Sequence, residues 1–262
     1  MPRYKLIVAY DGTGFHGWQK QHPPDHPPLR TVQGVLEQAV METLSEPVSV
    51  LGASRTDAGV HARAQVAAFS TTARQRIATE RLAGAINAHL PDDVRVRRVT
   101  IADAGFSPIS DAIAKGYRYR IAHACGHGAA RPLFDRHITY WTPYRLDPDR
   151  MNEAARRLIG RHDFTSFTRV HHNRQSTVRT IHDCSVTTTG PRRCRLDVSG
   201  DGFLYNMVRI IAGTLANVGR GKTEPEAVAD ILAAADRRAA GPTLPPEGLF
   251  LMWVRYRSSH EP

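Results

Sequence analysis

Residues 3–24 read R-Y-K-L-I-V-A-Y-D-G-T-G-F-H-G-W-Q-K-Q-H-P-P, and their reading separates two folds. The first eight residues alternate as a strand does. The strand runs into Gly12, Gly14 and Gly17, which satisfy G-x-G-x-x-G literally. That fingerprint binds a dinucleotide only if its last glycine opens a helix whose N-terminus receives the pyrophosphate. Here Gly17 is followed by W-Q-K-Q-H-P-P, and prolines withhold the backbone donors such a helix would offer. Glu37 lies at a suitable distance for a ribose contact, but inside a helical pattern instead of at the end of a second strand. The stretch therefore reads as a glycine-rich turn against which Phe15 and Trp18 pack, and a dinucleotide-binding fold is set aside.

Outward from that strand, the pattern alternates between helices and strands. Val32, Val35, Leu36, Ala39 and Val40 share a helical face. Strands are expected at 48–52, 65–69 and 94–100, with a helix at 79–90 between the last two. The second half repeats the grammar, with strands at 117–121, 138–141, 178–186 and 194–198. Its helices are expected at 148–159, 203–218 and 225–237, and a final strand at 249–256. Mixed elements in two halves joined near 101–112 predict an α+β chain. The expected organisation is two related α/β lobes, 1–105 and 106–262, with mostly antiparallel mixed sheets flanking a basic cleft.

Composition bounds the partner. The 262 residues carry a formal net charge of +10, with a sequence pI near 10.0, a balance that favours a polyanion and nucleic acid first among them. The charge is clustered. From Arg169 to His182 there are three Arg and three His and no acid, and residues 202–223 hold Arg209, Arg220 and Lys222, again without an acid. A salt-bridged surface would interleave signs, so these runs read as phosphate-facing. No apolar run approaches the roughly 20 residues of a membrane span, and residues 1–10 do not resemble a signal peptide, which predicts a soluble cytoplasmic protein. Cys125, Cys184 and Cys194 have no C-x-x-C spacing and are expected as isolated thiols.

Residues 54–62, S-R-T-D-A-G-V-H-A, hold a solitary carboxylate, Asp57, among small and basic neighbours. Ala58 and Gly59 leave room for a ligand to approach it closely. Arg55, two residues back, shares its face in an extended segment and favours the ionised form, suited to a nucleophile or base rather than an acid. No metal site accompanies it: His171 and His172 are adjacent and point apart, and no H-E-x-x-H spacing occurs. A G-x-S-x-G elbow is missing as well.

With Y-D-G-T-G-F-H-G-W-Q and T-V-Q-G-V-L-E-Q-A before it, this segment resembles the tRNA pseudouridine synthase A family. The likeness continues through A-K-G-Y-R-Y-R-I at 114–121, D-F-T-S-F at 163–167, F-L-Y-N-M-V-R-I-I-A-G-T-L at 203–215 and G-L-F-L-M-W-V-R-Y at 248–256. The resemblance implies the pseudouridine synthase fold and conversion of uridine to pseudouridine at positions 38, 39 and 40 in the anticodon stem-loop of tRNA. It implies no cofactor, no metal and a homodimer. Asp57 matches the essential aspartate and Arg209 the arginine that pairs with it. Tyr117 matches the active-site tyrosine, whose ring could stack an extruded base, and Leu249 an apolar pocket residue. Arg55 and His61, inside the most specific block, are expected at the substrate.

One block departs from the family pattern. Where an F-x-A-R-F-S-A stretch is common, residues 106–112 read F-S-P-I-S-D-A, so Pro108 and Ile109 replace an Ala-Arg pair, and Lys115 stands where Arg is usual. The rival reading is a non-catalytic RNA-binding protein on the same scaffold, which would keep the basic runs but tolerate loss of Asp57.

Overall fold

The computed structural model describes residues 1–21, 27–72, 77–124, 130–169 and 176–257. The chain divides into two compact units, residues 1–113 with 250–262, and residues 114–249. The last strand belongs to the first unit, so the division is not a single cut in the sequence.

In the first unit, β1 (Arg3–Tyr10) lies between β4 (Val94–Ala102) and β3 (His61–Ser70), antiparallel to both. The short β2 (Leu51–Gly52) pairs antiparallel with β3, and β10 (Leu249–Tyr256) pairs parallel with it, Phe250 opposite His61. Tyr4, Leu6, Val8 and Tyr10 alternate into the core, as the period of 2 requires. Helix α1 (Val32–Leu44) buries Val32, Leu36, Ala39 and Val40. It opens on Thr31, whose hydroxyl accepts from the Gly34 N–H. Glu37, on the same helix, is a structural hub: its carboxylate accepts from Val50 N–H at 2.9 Å and pairs with Lys20 at 2.5 Å. Both facts agree with setting the dinucleotide fold aside.

Helix α2 (Thr79–Asn87) is stopped by its own last residue, because Asn87 bonds both the N–H and the C=O of Val96 at 2.8 Å. Gly84 sits inside α2 with open space where a side chain would go. Gly84→Ala should therefore raise stability by about 0.5–1 kcal/mol through helix propensity alone. Urea denaturation is the check; a destabilised variant would contradict the placement.

The departing segment at 106–112 covers the other face of the first unit's sheet. Phe106 packs edge-on against Tyr256 at 5.1 Å, and the Tyr256 hydroxyl donates to the Pro108 carbonyl at 2.9 Å. Proline is tolerated because its carbonyl, not an N–H, makes the contact. Ile109 is half exposed where the related pattern has an arginine.

In the second unit the sheet order is β5 (Ala112–His123), β9 (Arg193–Gly200), β8 (Val178–Gly190), β7 (Gly160–Asp163), all antiparallel, with β6 (Tyr140–Thr142) parallel on β5. Helix α3 (Pro148–Arg156) is capped by Asp147, which accepts from the Asp149 and Arg150 N–H groups. Helix α4 (Met207–Gly219) is buried all round except at Arg209 and Asn217. That is more than the stripe read from the sequence, and it marks a central helix. Short α5 (Ala227–Ala233) follows.

Both lobes thus carry helices and a largely antiparallel sheet, the α+β architecture expected. Among the described residues no helix is long and apolar enough to cross a membrane. Cys184 and Cys194 are free and buried. Burial pushes both thiols up, Cys194 to about 12, so neither is a ready nucleophile. Cys125, and residues 170–175 of the basic run at 169–182, lie outside the described residues.

Candidate active site

Asp57 opens a tight turn. Val60 N–H donates to the Asp57 carbonyl at 3.1 Å, and Gly59 takes φ +76°, the left-handed value a type II turn needs at its third residue. The turn leads directly into β3 at His61. Asp57 is half-buried, while Arg55 and Ala58 are exposed.

The turn is held by the glycine-rich stretch that imitates a nucleotide fingerprint. Trp18 N–H donates to the Thr56 carbonyl at 3.0 Å, and Gly59 N–H donates to the Phe15 carbonyl at 3.3 Å. The Tyr10 and Thr56 hydroxyls are 2.8 Å apart. Two of the glycines are there for close approach. A Cβ on Gly12 would overlap the Val60 carbonyl, and one on Gly17 would lie 2.7 Å from the Thr56 carbonyl oxygen and 3.2 Å from Ala58 N. Gly17 also sits at φ +93°. Trp18 and Phe15 are buried beneath, as expected from the sequence. The loop is a cradle for the Asp57 turn, a role that the sequence showed only as glycines without a helix to open.

His61 is 1% exposed. Its Nδ1 accepts from Gly12 N–H at 3.1 Å and lies 3.2 Å from the Asp11 carboxylate, and its ring stacks on Phe250 at 4.6 Å. Burial pushes the Asp11 carboxyl up, but the Thr13 hydroxyl and N–H, together with His61, outweigh it and hold the group below the ordinary carboxylate range. These contacts tie the far end of the Asp57 turn to the residues that follow β1 and to β10.

In the second unit, Tyr117 on β5 is buried and meets Phe203 edge-to-face at 5.0 Å. Arg209 stands near the start of α4, half-buried. Its Nε donates to the Leu244 carbonyl at 2.7 Å and its Nη1 to Asn206 Oδ1 at 2.8 Å. Asn206 takes φ +61°, a left-handed conformation that asparagine tolerates. It aims its amide at the guanidinium, so the head group is set by two acceptors rather than by a mobile stem. The backing segment is itself pinned. Tyr119 donates to the Pro245 carbonyl at 2.6 Å, and at Gly213 the helix presses so close to Pro242 that no side chain fits. Tyr119 is held protonated far above the usual tyrosine range, first by burial and then by Glu247 and Tyr140. Leu249, just after the turn at Pro246–Gly248, is buried.

The structure thus places Arg55, Asp57 and His61 along the segment that enters β3, and in the second unit Tyr117 on β5 against Phe203, Arg209 on α4 and Leu249 at the end of the segment that backs it. Sequence reading passed over Asn206, Leu244 and Thr56, which fix the functional groups through backbone and amide contacts.

The family model described as tRNA pseudouridine synthase matches residues 6–105 and 154–257. The chain belongs to the tRNA pseudouridine synthase family. It is 46% identical over 255 residues to the tRNA pseudouridine synthase A of Geobacillus kaustophilus, covering 97% of this chain and 94% of that one. It is 44% identical over 257 residues to that of Bacillus subtilis, covering 97% and 99%. A Sinorhizobium fredii relative of the same name is 41% identical over 262 residues. The matched stretches of the synthase family model contain Asp57, Arg209 and Leu249, and Tyr117 falls between them. Synthases of this family are isomerases.

Proposed function

We propose that this chain converts uridine to pseudouridine at positions 38, 39 and 40 of the anticodon stem-loop of tRNA, with Asp57 as the nucleophile or base. The observation that carries the reading is the clamped turn. A carboxylate on a backbone fixed by Trp18, Phe15 and Tyr10 is preorganised, so little conformational freedom is lost when the nucleotide arrives. Its exposed neighbour Ala58 leaves the approach open.

In the reaction the C1′–N1 bond breaks, C1′–C5 forms, N1 gains a proton and C5 loses one, so no atom is added to or removed from the nucleotide overall. Asp57 acts at C1′, at C6 or on a ribose proton; while it is ionised, its charge stabilises positive charge that develops at C1′ as the C1′–N1 bond breaks. Tyr117 supplies an aromatic face to the extruded base, which offsets part of the unstacking cost of a few kcal/mol. Arg209 supplies a guanidinium whose direction Asn206 and Leu244 fix. His61 acts through the turn, as a positioning residue.

The test is direct. Unmodified tRNA carrying uridine at 38, 39 and 40 and tritium at uracil C5 should release tritium to water on incubation with the purified chain, and chemical mapping should place pseudouridine at those positions. Binding without release would favour the non-catalytic reading; release mapped elsewhere would overturn the site assignment.

A further inference from the structure

The open face of the second unit's sheet carries a pocket outside the machinery described above. Among the described residues its lining carries Arg118, Arg120, Arg193 and Arg195 with Thr139 and Thr189, four guanidiniums and two hydroxyls, and no carboxylate. The strand period puts Arg118 and Arg120 on one face of β5, and Arg193 and Arg195 on the same face of β9, while Tyr117, Tyr119, Leu196 and Val198 turn inward. In register, Arg120 stands directly opposite Arg195, an arrangement of like charges that opposes folding.

Two carboxylates beside the pocket offset part of the charge of its four guanidiniums. Asp197 divides its two oxygens between Arg118 Nε at 2.7 Å and Arg195 Nε at 2.9 Å. Arg193 Nη1 pairs with Asp135 at 2.5 Å. That last bond anchors a loop on which Leu133 is exposed and Phe134 is 92% exposed. Arg131 and Arg136 lie on the same loop and brace it by donating to the carbonyls of Arg136 and Leu133.

We infer that this face binds the phosphodiester backbone of tRNA, as a contact additional to the reacting nucleotide; the inference rests on tRNA being the substrate. Two rows of arginines spaced by about 6.6–6.8 Å, two residues of strand rise, fit a chain of phosphates better than one compact anion. Guanidinium forks and threonine hydroxyls suit phosphate oxygens. Phe134 offers a flat apolar face beside them, as sites for unpaired nucleotides do.

The experiment measures affinity for full-length tRNA as a function of salt, by filter binding, for Arg120→Gln, Arg193→Gln and the double variant. Each lost phosphate contact should lower the slope of log affinity against log salt by about 0.7–0.9, and affinity itself several-fold at low salt. Arg120→Lys and Arg193→Lys, which keep the charge, should restore most of the slope. Phe134→Ala should weaken binding with the slope unchanged, because stacking releases no counterions. Folded Gln variants with the wild-type slope overturn the inference. So does thermal protection by inorganic phosphate that the Gln variants lose while tRNA binding stays intact, or loss of self-association at unchanged tRNA affinity. Binding is read without turnover, so a chain that makes no pseudouridine yet loses slope would sink the proposed function and leave this inference standing.

Discussion

Asp57→Asn should abolish pseudouridine formation, a fall of about 10³-fold or more, while tRNA binding stays within a few-fold of the parent. The size follows from removing the group that acts as base or nucleophile, since even general acid–base assistance alone contributes roughly 10²–10⁴. Selectivity follows from the geometry. Backbone bonds hold the turn: Val60 N–H to the Asp57 carbonyl, Gly59 N–H to Phe15 and Trp18 N–H to Thr56. A nearly isosteric amide leaves all three in place. Single-turnover tritium release measures the first effect and filter binding the second. Activity above a trace in the amide variant would remove Asp57 from its assigned role, and lost binding with lost structure would show that the carboxylate holds the fold instead.

Much of the fold was readable where one periodicity acts alone. The expected strands at 3–10 and 249–256 coincide with β1, where every second side chain from Tyr4 to Tyr10 is buried, and with β10, whose first three residues are a continuous buried run. Readings failed where side chains replaced backbone partners. A strand was expected over 48–52, but only Leu51–Gly52 pairs. Val50 instead gives its N–H to Glu37 and its carbonyl to the Gln33 amide, so helix side chains complete it. The helix expected to end at 90 stops at Asn87 because that side chain bonds strand β4. Helix α4 starts at Met207 rather than 203, since Asn206 lies in the left-handed region, and α5 ends early before Ala235 at φ +46°. Strand β7, G-R-H-D, was missed: four polar or flexible residues at a sheet edge carry no alternation.

The candidate site was legible in a different way. Nothing in the periodicity singled out Asp57; small neighbours and one nearby arginine did, and the resemblance then gave it a role. Arg55 proved exposed on an irregular segment, not on a strand face shared with Asp57, so the argument from strand alternation does not describe it. What the sequence could not show is how the turn that carries the carboxylate is fixed. The clamp is made of carbonyls and N–H groups, which every residue has, and only the glycines that admit the close approach leave a trace in the sequence.

Those glycines support the second large effect. Gly17→Ala places a methyl 2.7 Å from the Thr56 carbonyl oxygen and 3.2 Å from Ala58 N, at a backbone φ of +93° that L side chains rarely adopt. Left-handed strain costs about 1–3 kcal/mol, and overpacking against backbone adds a comparable amount. The neighbouring atoms are main chain on both sides of Asp57, so relief comes from moving the turn itself. A shift of about 1 Å in a reacting group costs about 10²-fold in rate. Turnover at a temperature well below the melting transition should therefore fall about 10²-fold, beyond what the remaining folded fraction explains, with tRNA affinity little changed. Thermal denaturation and single-turnover rates on the same preparation separate the two effects, and Gly84→Ala, an alanine with nothing to strike, is the control. If Gly17→Ala lost stability but turned over normally once folded, the loop would be scaffolding with no say in where the carboxylate sits.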